Sequence, residues 1–305
     1  MEKNMNVNFE YLKRRVIDTF NNTDIDFINH ELSLLDKPTL ICGVGGSSVV
    51  SDYASKVLSS KNSIITRNTE PRDMIYMNNS GYSNIISCSY GGNNYGVELS
   101  FNNSLKKYLL SRNRNEEVIN LQYKTTIDNE RSFISLGATL IPVSILLNYY
   151  LDGNMPFLDD IEEKLFSFDT ECDVYEIFSG YDTSTTSKYL ESTMVESGIG
   201  VPVVHDKYSY CHGRSTMSIN NNNNIAIFLN RNTELDRLLL SEISKYYKNI
   251  IIIDSKYNDI ILDDYQMLVK AMYLTIFIAQ CKNKDLSRVD YSPLCKTLYK
   301  CKFNS

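Results

Sequence analysis

From about Lys37 onward, short apolar runs alternate with stretches whose apolar residues recur at helical spacing. That alternation predicts βαβ units around a parallel sheet, an α/β fold class. In the first half, residues 39–44, 63–66, 84–89 and 117–121 predict strands, and residues 47–60 and 95–112 predict the helices covering them. Asp152, Gly153, Asn154 and Pro156 interrupt the pattern as a turn, and the alternation restarts beyond them. In the second half, strands are predicted at 174–179, 201–205, 225–229 and 250–254, with helices at 184–197, 234–248 and 264–281. Gly43 is followed four residues later by Ser47 and Ser48, and Gly180 at the same offset by Ser184 and Thr185, each after an apolar run. This faint internal repeat suggests two copies of one unit. The expected division is a leading helical segment at 1–34, a first domain at 35–153, a second at 154–282 and a tail at 283–305.

Residues 133–151 are apolar for nearly the length of a membrane span, yet they include Ser135, Gly137, Thr139, Pro142, Ser144 and Asn148. A buried core helix is the expectation, not a membrane contact. A net charge of −6 over 305 residues points away from a nucleic-acid partner. Lys13, Arg14 and Arg15 are flanked by Glu10 and Asp18, so they read as a solvated helix face. The seven cysteines are scattered without a CxxC pair. Reduced thiols in a cytoplasmic protein are expected, and the polar residues 1–20 lack the apolar core of a secretion signal. The three histidines and the cysteines show no zinc spacing, and neither GxSxG nor GxxxxGK[ST] occurs, so no metal and no cofactor is implied.

The strongest local feature is Cys42-Gly43-Val44-Gly45-Gly46-Ser47-Ser48, which leaves a predicted strand and enters a predicted helix. Glycines let the backbone approach a ligand closely, and the N–H groups opening a helix, joined by the Ser47 and Ser48 hydroxyls, favour an anion such as phosphate. A glycine-rich turn without a ligand is the other reading. Ser48 stands where GxGxxG needs its third glycine, and no acidic residue clearly ends the next strand, which argues against a dinucleotide fold. A second loop, Ser89-Tyr90-Gly91-Gly92-Asn93-Asn94, ends a later strand of the same half. In an open parallel sheet the two loops converge on one crevice.

GxGxS at Gly43, Gly45 and Ser47, followed by an apolar strand ending in Ser89-x-x-Gly92, resembles the sugar-isomerase (SIS) domain family. The family's second loop usually reads SxSGxT; here Gly91 and Asn94 replace its second serine and its threonine. The second half continues the likeness. Glu191 on a predicted helix and His212 in Tyr210-Cys211-His212-Gly213-Arg214 match, by motif, the proton-shuttling glutamate and ring-opening histidine of the sugar-isomerising half of glucosamine-6-phosphate synthase. Lys296, in Leu294-Cys295-Lys296-Thr297-Leu298-Tyr299, matches the lysine that closes over the sugar near the end of such isomerases. On the residues alone, Glu191 could instead pair with Lys188 on the helix surface, His212 could be a loop histidine, and Lys296 a solvated tail residue. His205, nearer a strand end, reads as structural.

The resemblance implies two flavodoxin-like three-layer αβα domains with parallel sheets, a homodimer, and a phosphosugar or similar anionic carbohydrate as ligand. The phosphate would rest on Gly43, Gly45, Ser47, Ser48, Ser89, Gly92 and Asn94, with Arg214 able to pair with a phosphate or carboxylate. Aldose–ketose isomerisation needs a carboxylate that moves a carbon-bound proton and an imidazole for the ring oxygen, which Glu191 and His212 would supply. A deglycase using the same enolisation is a close relative. The competing expectation is a non-catalytic sugar-phosphate or nucleotide-sugar sensor acting through protein partners.

Overall fold

A computed structural model describes residues 9–128, 130, 134–156, 158, 172–220 and 223–287. The chain divides into two units, one of Met1–Asn154 with Leu286–Ser305 and the other of Met155–Asp285.

The first unit runs α1 (Phe9–Asn22), α2 (Ile25–Ser33), β1 (Thr39–Cys42), α3 (Gly46–Lys61), β2 (Thr66–Thr69), β3 (Asn84–Cys88), α4 (Tyr95–Ser100), β4 (Lys106–Ser111), β5 (Ile119–Gln122) and α5 (Leu136–Tyr150). Its five strands are all parallel, in the order β2-β1-β3-β4-β5. Thr39 lies opposite both Thr66 and Asn84, and the Asn84 side chain donates to the Thr39 hydroxyl at 3.2 Å. Every residue of β1 and β3 is buried, which is why both read as nearly unbroken apolar runs. α3, α5 and α1 pack together on one side. On the other, Leu40, Cys42, Met74 and Ile85 form a small core against Met77, Tyr82, Phe101 and Leu105. α5, from the long apolar stretch, is buried almost all round and carries Pro142 within it. Among the described residues no helix is long and apolar enough to cross a membrane.

Two expectations for this half are corrected. The helix predicted over 95–112 is a six-residue helix followed by a strand. Asn103 donates to the Ser100 carbonyl at 2.7 Å and accepts from the Leu105 N–H at 2.9 Å, so its side chain turns the backbone where a helix would continue. Beyond it, β4 inserts between β3 and β5 with its last four residues buried. The strand predicted at 63–66 forms at Thr66–Thr69 instead. Ser63 adopts a φ of 56°, and the edge strand itself is polar, tied to α3 by Ser55–Thr66 and Ser51–Asn68 hydrogen bonds of 2.8 Å each.

The second unit runs β6 (Val174–Ser179), α6 (Ser184–Ser197), β7 (Val201–Asp206), α7 (Lys207–Ser209), a turn at Tyr210–Arg214, α8 (Ser215–Asn220), β8 (Ile225–Asn230), α9 (Glu234–Ile243), β9 (Asn249–Asp254) and α10 (Ile260–Cys281). Its parallel strands follow the order β7-β6-β8-β9, the first unit's order without its fifth strand. β6 therefore corresponds to β1, and the Gly43 and Gly180 repeats fall at equivalent strand ends. Phe178, Tyr210, Phe228, Leu239, Ile243 and Tyr247 form an aromatic-rich core, while α6 packs on α10 through a 3.0 Å Tyr189–Thr275 hydroxyl pair.

Candidate functional site

The strand order of the first unit reverses between β1 and β3, so the crevice outside the carboxyl ends of these two strands is the natural ligand position in an open parallel sheet. The turn at 43–47 and the loop at 89–94 border it. A Cβ on Gly43 would lie 2.1 Å from the Ser47 carbonyl oxygen, so only glycine fits the turn. Gly45 caps α3 with φ 57° and ψ −130°, a conformation that favours glycine. A Cβ on Gly96, in the first turn of α4, would stand 2.9 Å from the Val44 side chain, so the two loops meet through close backbone approach.

At the start of α3 two amides are used within the turn and two are not. The Ser47 and Ser48 amides are turned inward, onto the Val44 and Gly45 carbonyls at 3.1 and 2.8 Å. The amides of Gly45 and Gly46 find no backbone acceptor among the described residues, and no side chain caps this helix. With the Ser47 and Ser48 hydroxyls and the helix dipole, these donors suit a small anion. Cys42 and Cys88 end the two strands in the interior, where burial pushes both thiols up, Cys42 to about 12, so neither offers a nucleophile.

The second loop is built largely for itself. The Ser89 hydroxyl oxygen accepts from the Gly92 amide at 3.1 Å and from the Asn94 side chain at 3.3 Å. Asn94 in turn accepts from the Val97 amide at 3.0 Å and caps α4. Gly92 takes φ +67°, and a Cβ there would meet the Ser111 hydroxyl at 2.6 Å. The Ser89 hydroxyl oxygen and the Asn94 side-chain carbonyl are thus both engaged within the loop and the helix it opens. A cleft of about 660 Å³, lined by Asn93, Tyr95, Glu98, Phe101, Lys107 and Arg114 among others, borders this loop without reaching the 43–48 turn.

In the second unit the protein's own charges serve the corresponding helix, on amides beyond the equivalents of Gly45 and Gly46. The Asp264 carboxylate, from α10, accepts from the Thr185 and Thr186 amides at 3.2 and 3.1 Å and from the Thr186 hydroxyl at 2.6 Å. It occupies the start of α6 as a bound anion would. Arg231, just past β8, pairs with Asp263, lies 3.6 Å from Asp182 and donates to the Tyr257 and Asn258 carbonyls. Sequence reasoning passed over both Asp264 and Arg231. The available signal was Asp263-Asp264 inside an otherwise apolar helix, since fully buried acids need partners.

Glu191 is exposed on α6 and forms neither a hydrogen bond nor an ion pair with the described residues, so the pairing with Lys188 is not made. His212 and Arg214 are exposed on the Tyr210–Arg214 turn, where Gly213 takes φ 105° and Arg214 donates to the Val204 carbonyl at 3.1 Å. Buried Tyr210 anchors this turn through Ser218, which joins the Tyr247 and Glu176 cluster. Glu176 also accepts from Tyr247 at 2.5 Å and Asn224 at 2.7 Å, and pairs with His205 at 2.8 Å. Burial raises the Glu176 pKa, but the hydrogen bonds from His205, Tyr247 and Asn224 outweigh it and hold the carboxyl below its usual range. His205 is fully buried within this cluster. Lys296 lies outside the described residues. Among the described residues no cluster of metal-ligating side chains occurs.

Arg15, expected on a solvated face, is instead 1% exposed, a correction to the sequence reading. The periodicity of α1 could have shown it, because Arg15 falls on the same helix face as the buried Leu12, Val16 and Thr19.

No family model matches the sequence, and no curated protein sequence matches it. Solved structures do. Tagatose-6-phosphate ketose/aldose isomerase from Escherichia coli is 13% identical with a TM-score of 0.72, over 93% of this chain and 95% of that one. The C-terminal domain of glucosamine-fructose-6-phosphate aminotransferase from Francisella tularensis is 12% identical with a TM-score of 0.65, over 91% and 94%. Glucosamine-6-phosphate deaminase from Thermotoga maritima is 12% identical with a TM-score of 0.65, over 92% and 98%. The fold of this chain, two α/β units with parallel sheets, is therefore the fold of these sugar-phosphate enzymes.

Proposed function

We propose that this protein binds a phosphosugar at the start of α3 and acts on it as a metal-independent aldose–ketose isomerase or a deglycase using the same enolisation. The observation that carries the reading is the contrast between the two helix starts. Asp264 fills the one after β6, whereas the one after β1 offers amides and two serine hydroxyls to an outside anion. The names of the structural neighbours, which include a ketose/aldose isomerase and a deaminase of sugar phosphates, support the same ligand class.

In this reading Gly43, Gly45, Ser47 and Ser48 hold the phosphate, aided by the Ser89 hydroxyl, with Gly92 and Asn94 shaping the second loop and Arg214 available to an acidic group. Glu191 takes the proton from C2 and returns it to C1, while His212 moves the ring-oxygen proton as the sugar opens. Lys296 is a closing contact. The proposal keeps the division into domains at 35–153 and 154–282, with the leading segment 1–34 and the tail 283–305, and a cytoplasmic homodimer.

Solvent deuterium entering C2 of a panel of hexose and pentose phosphates, followed by NMR, tests the assignment. Exchange is expected for at least one sugar, with Glu191→Gln slowing it by about 10²–10⁴-fold, the usual contribution of a general acid–base. Undiminished exchange in that variant removes Glu191 from the chemistry. Saturable thermal stabilisation by sugar phosphates with no exchange across the panel favours the sensor.

A further inference from the structure

Arg15 is a buried cation with no role in the reading above. Its Nη2 donates to the Tyr90 hydroxyl at 3.2 Å, but Nε and Nη1 reach no acceptor among the described residues. The Tyr11 ring, 5.8 Å from the guanidinium carbon, gives only partial compensation. A second arginine converges on the same phenol. Arg112, just past β4, donates to the Tyr90 hydroxyl at 3.3 Å with its guanidinium 5.9 Å from the ring centre. Among the described residues a nearby acid is Glu130, whose oxygens accept from the Leu136 and Gly137 amides at 3.1 and 2.5 Å and make no hydrogen bond with the Arg15 Nε or Nη1.

The position ties this cation to the second loop and to the start of α5. A Cβ on Gly137, in the first turn of α5, would stand 3.5 Å from the Arg15 Nε, so glycine there leaves the guanidinium its space. Two residues on, and on the opposite face of the helix, the Thr139 hydroxyl lies 3.5 Å from where Gly46 would carry a Cβ, and Gly46 opens α3. Tyr90 itself follows Ser89 in the second loop. Arg15 thus stands against the loop that borders the crevice, on the other face of α5 from the start of α3.

Burying a guanidinium with two of its nitrogens lacking an acceptor is unfavourable, and its forked geometry matches a carboxylate or phosphate. We infer that Arg15, seconded by Arg112, binds a second acidic group of the ligand. The ligand is then a phosphorylated small molecule with a further carboxylate or phosphate, not a sugar monophosphate alone. The inference rests on the phosphate reading of α3.

Calorimetric titration of the full chain with glucose 6-phosphate and 6-phosphogluconate, which bear an aldehyde carbon and a carboxylate respectively at C1, tests it. The wild type is expected to bind the acid at least tenfold more tightly. Arg15→Gln is expected to reduce that preference below twofold while changing glucose 6-phosphate affinity less than threefold, with Arg15→Lys intermediate. An unchanged preference in Arg15→Gln, or no preference in the wild type while both compounds bind, overturns the inference. Should Arg15→Gln lose its wild-type circular dichroism, Arg112→Gln takes its place, expected to weaken the preference at least threefold; an unweakened preference there overturns it as well. If glucose 6-phosphate, 6-phosphogluconate and inorganic phosphate all fail to bind the wild type, the phosphate reading itself falls, and this inference with it.

Discussion

Asp18, near the middle of α1, accepts from the Thr125 hydroxyl at 2.5 Å, the Thr126 hydroxyl at 2.5 Å and the Thr126 amide at 2.6 Å. The two threonine side chains do most to lower its pKa from 3.8 to about 2. A carboxyl depressed in the folded state stabilises it above the unfolded pKa, and that contribution is lost as pH falls through the folded value. The docking of α1 onto the 125–127 turn is therefore expected to weaken between about pH 4 and pH 2. Hydrogen exchange of the α1 amides against pH checks this, with Asp18→Asn expected to remove most of the acid dependence. The residue scale also shows where sequence reading stops. Gly43, Gly45 and Ser47 were legible because a strand-to-helix turn restricts residue type locally. Arg15 was misread because its neighbours in sequence are charged, whereas its neighbours in space are Tyr90, Tyr11 and the start of α5.

Among the elements, α6 depends on a residue 78 or 79 positions away in sequence. Its first-turn amides are satisfied by Asp264, so Asp264→Ala takes the carboxylate acceptor from two buried N–H groups, while the Thr186 hydroxyl keeps the residue 264 main-chain carbonyl at 3.0 Å. A loss of about 2–4 kcal/mol in unfolding free energy is expected, measured by urea denaturation, because removing one partner of buried charged hydrogen bonds exposes the full desolvation penalty. Asp264→Asn retains an acceptor and is expected to lose less. Most strands and helices could be read from apolar periodicity, as with α6, whose expected span of 184–197 matches the observed Ser184–Ser197. The failures lay where that signal is ambiguous. Residues 106–111 fit a helix continuation as well as a strand, and only pairing with both β3 and β5 makes them β4. β2 carries no apolar run and is held by hydrogen bonds from its polar side chains to α3.

At the scale of the whole chain, the same strand order occurs twice, yet the two units treat the helix after their first strand differently. If Asp264 serves as a built-in anion, titration with a hexose 6-phosphate is expected to give a stoichiometry of one per chain. Two equivalents of similar affinity would show that the second unit also takes an external anion. The amino-acid sequence alone determined the α/β class, the repeat at Gly43 and Gly180, and the glycine-bearing strand-to-helix turn at 43–48, because glycine placement and apolar periodicity act over a few residues of backbone. Tertiary structure decided which repeat remains open, how Asn94 and Ser89 are engaged, and that Arg15 is buried. Those outcomes depend on charges and hydrogen-bond partners arriving from distant parts of the chain, and no local pattern encodes which side chain will reach a given helix start.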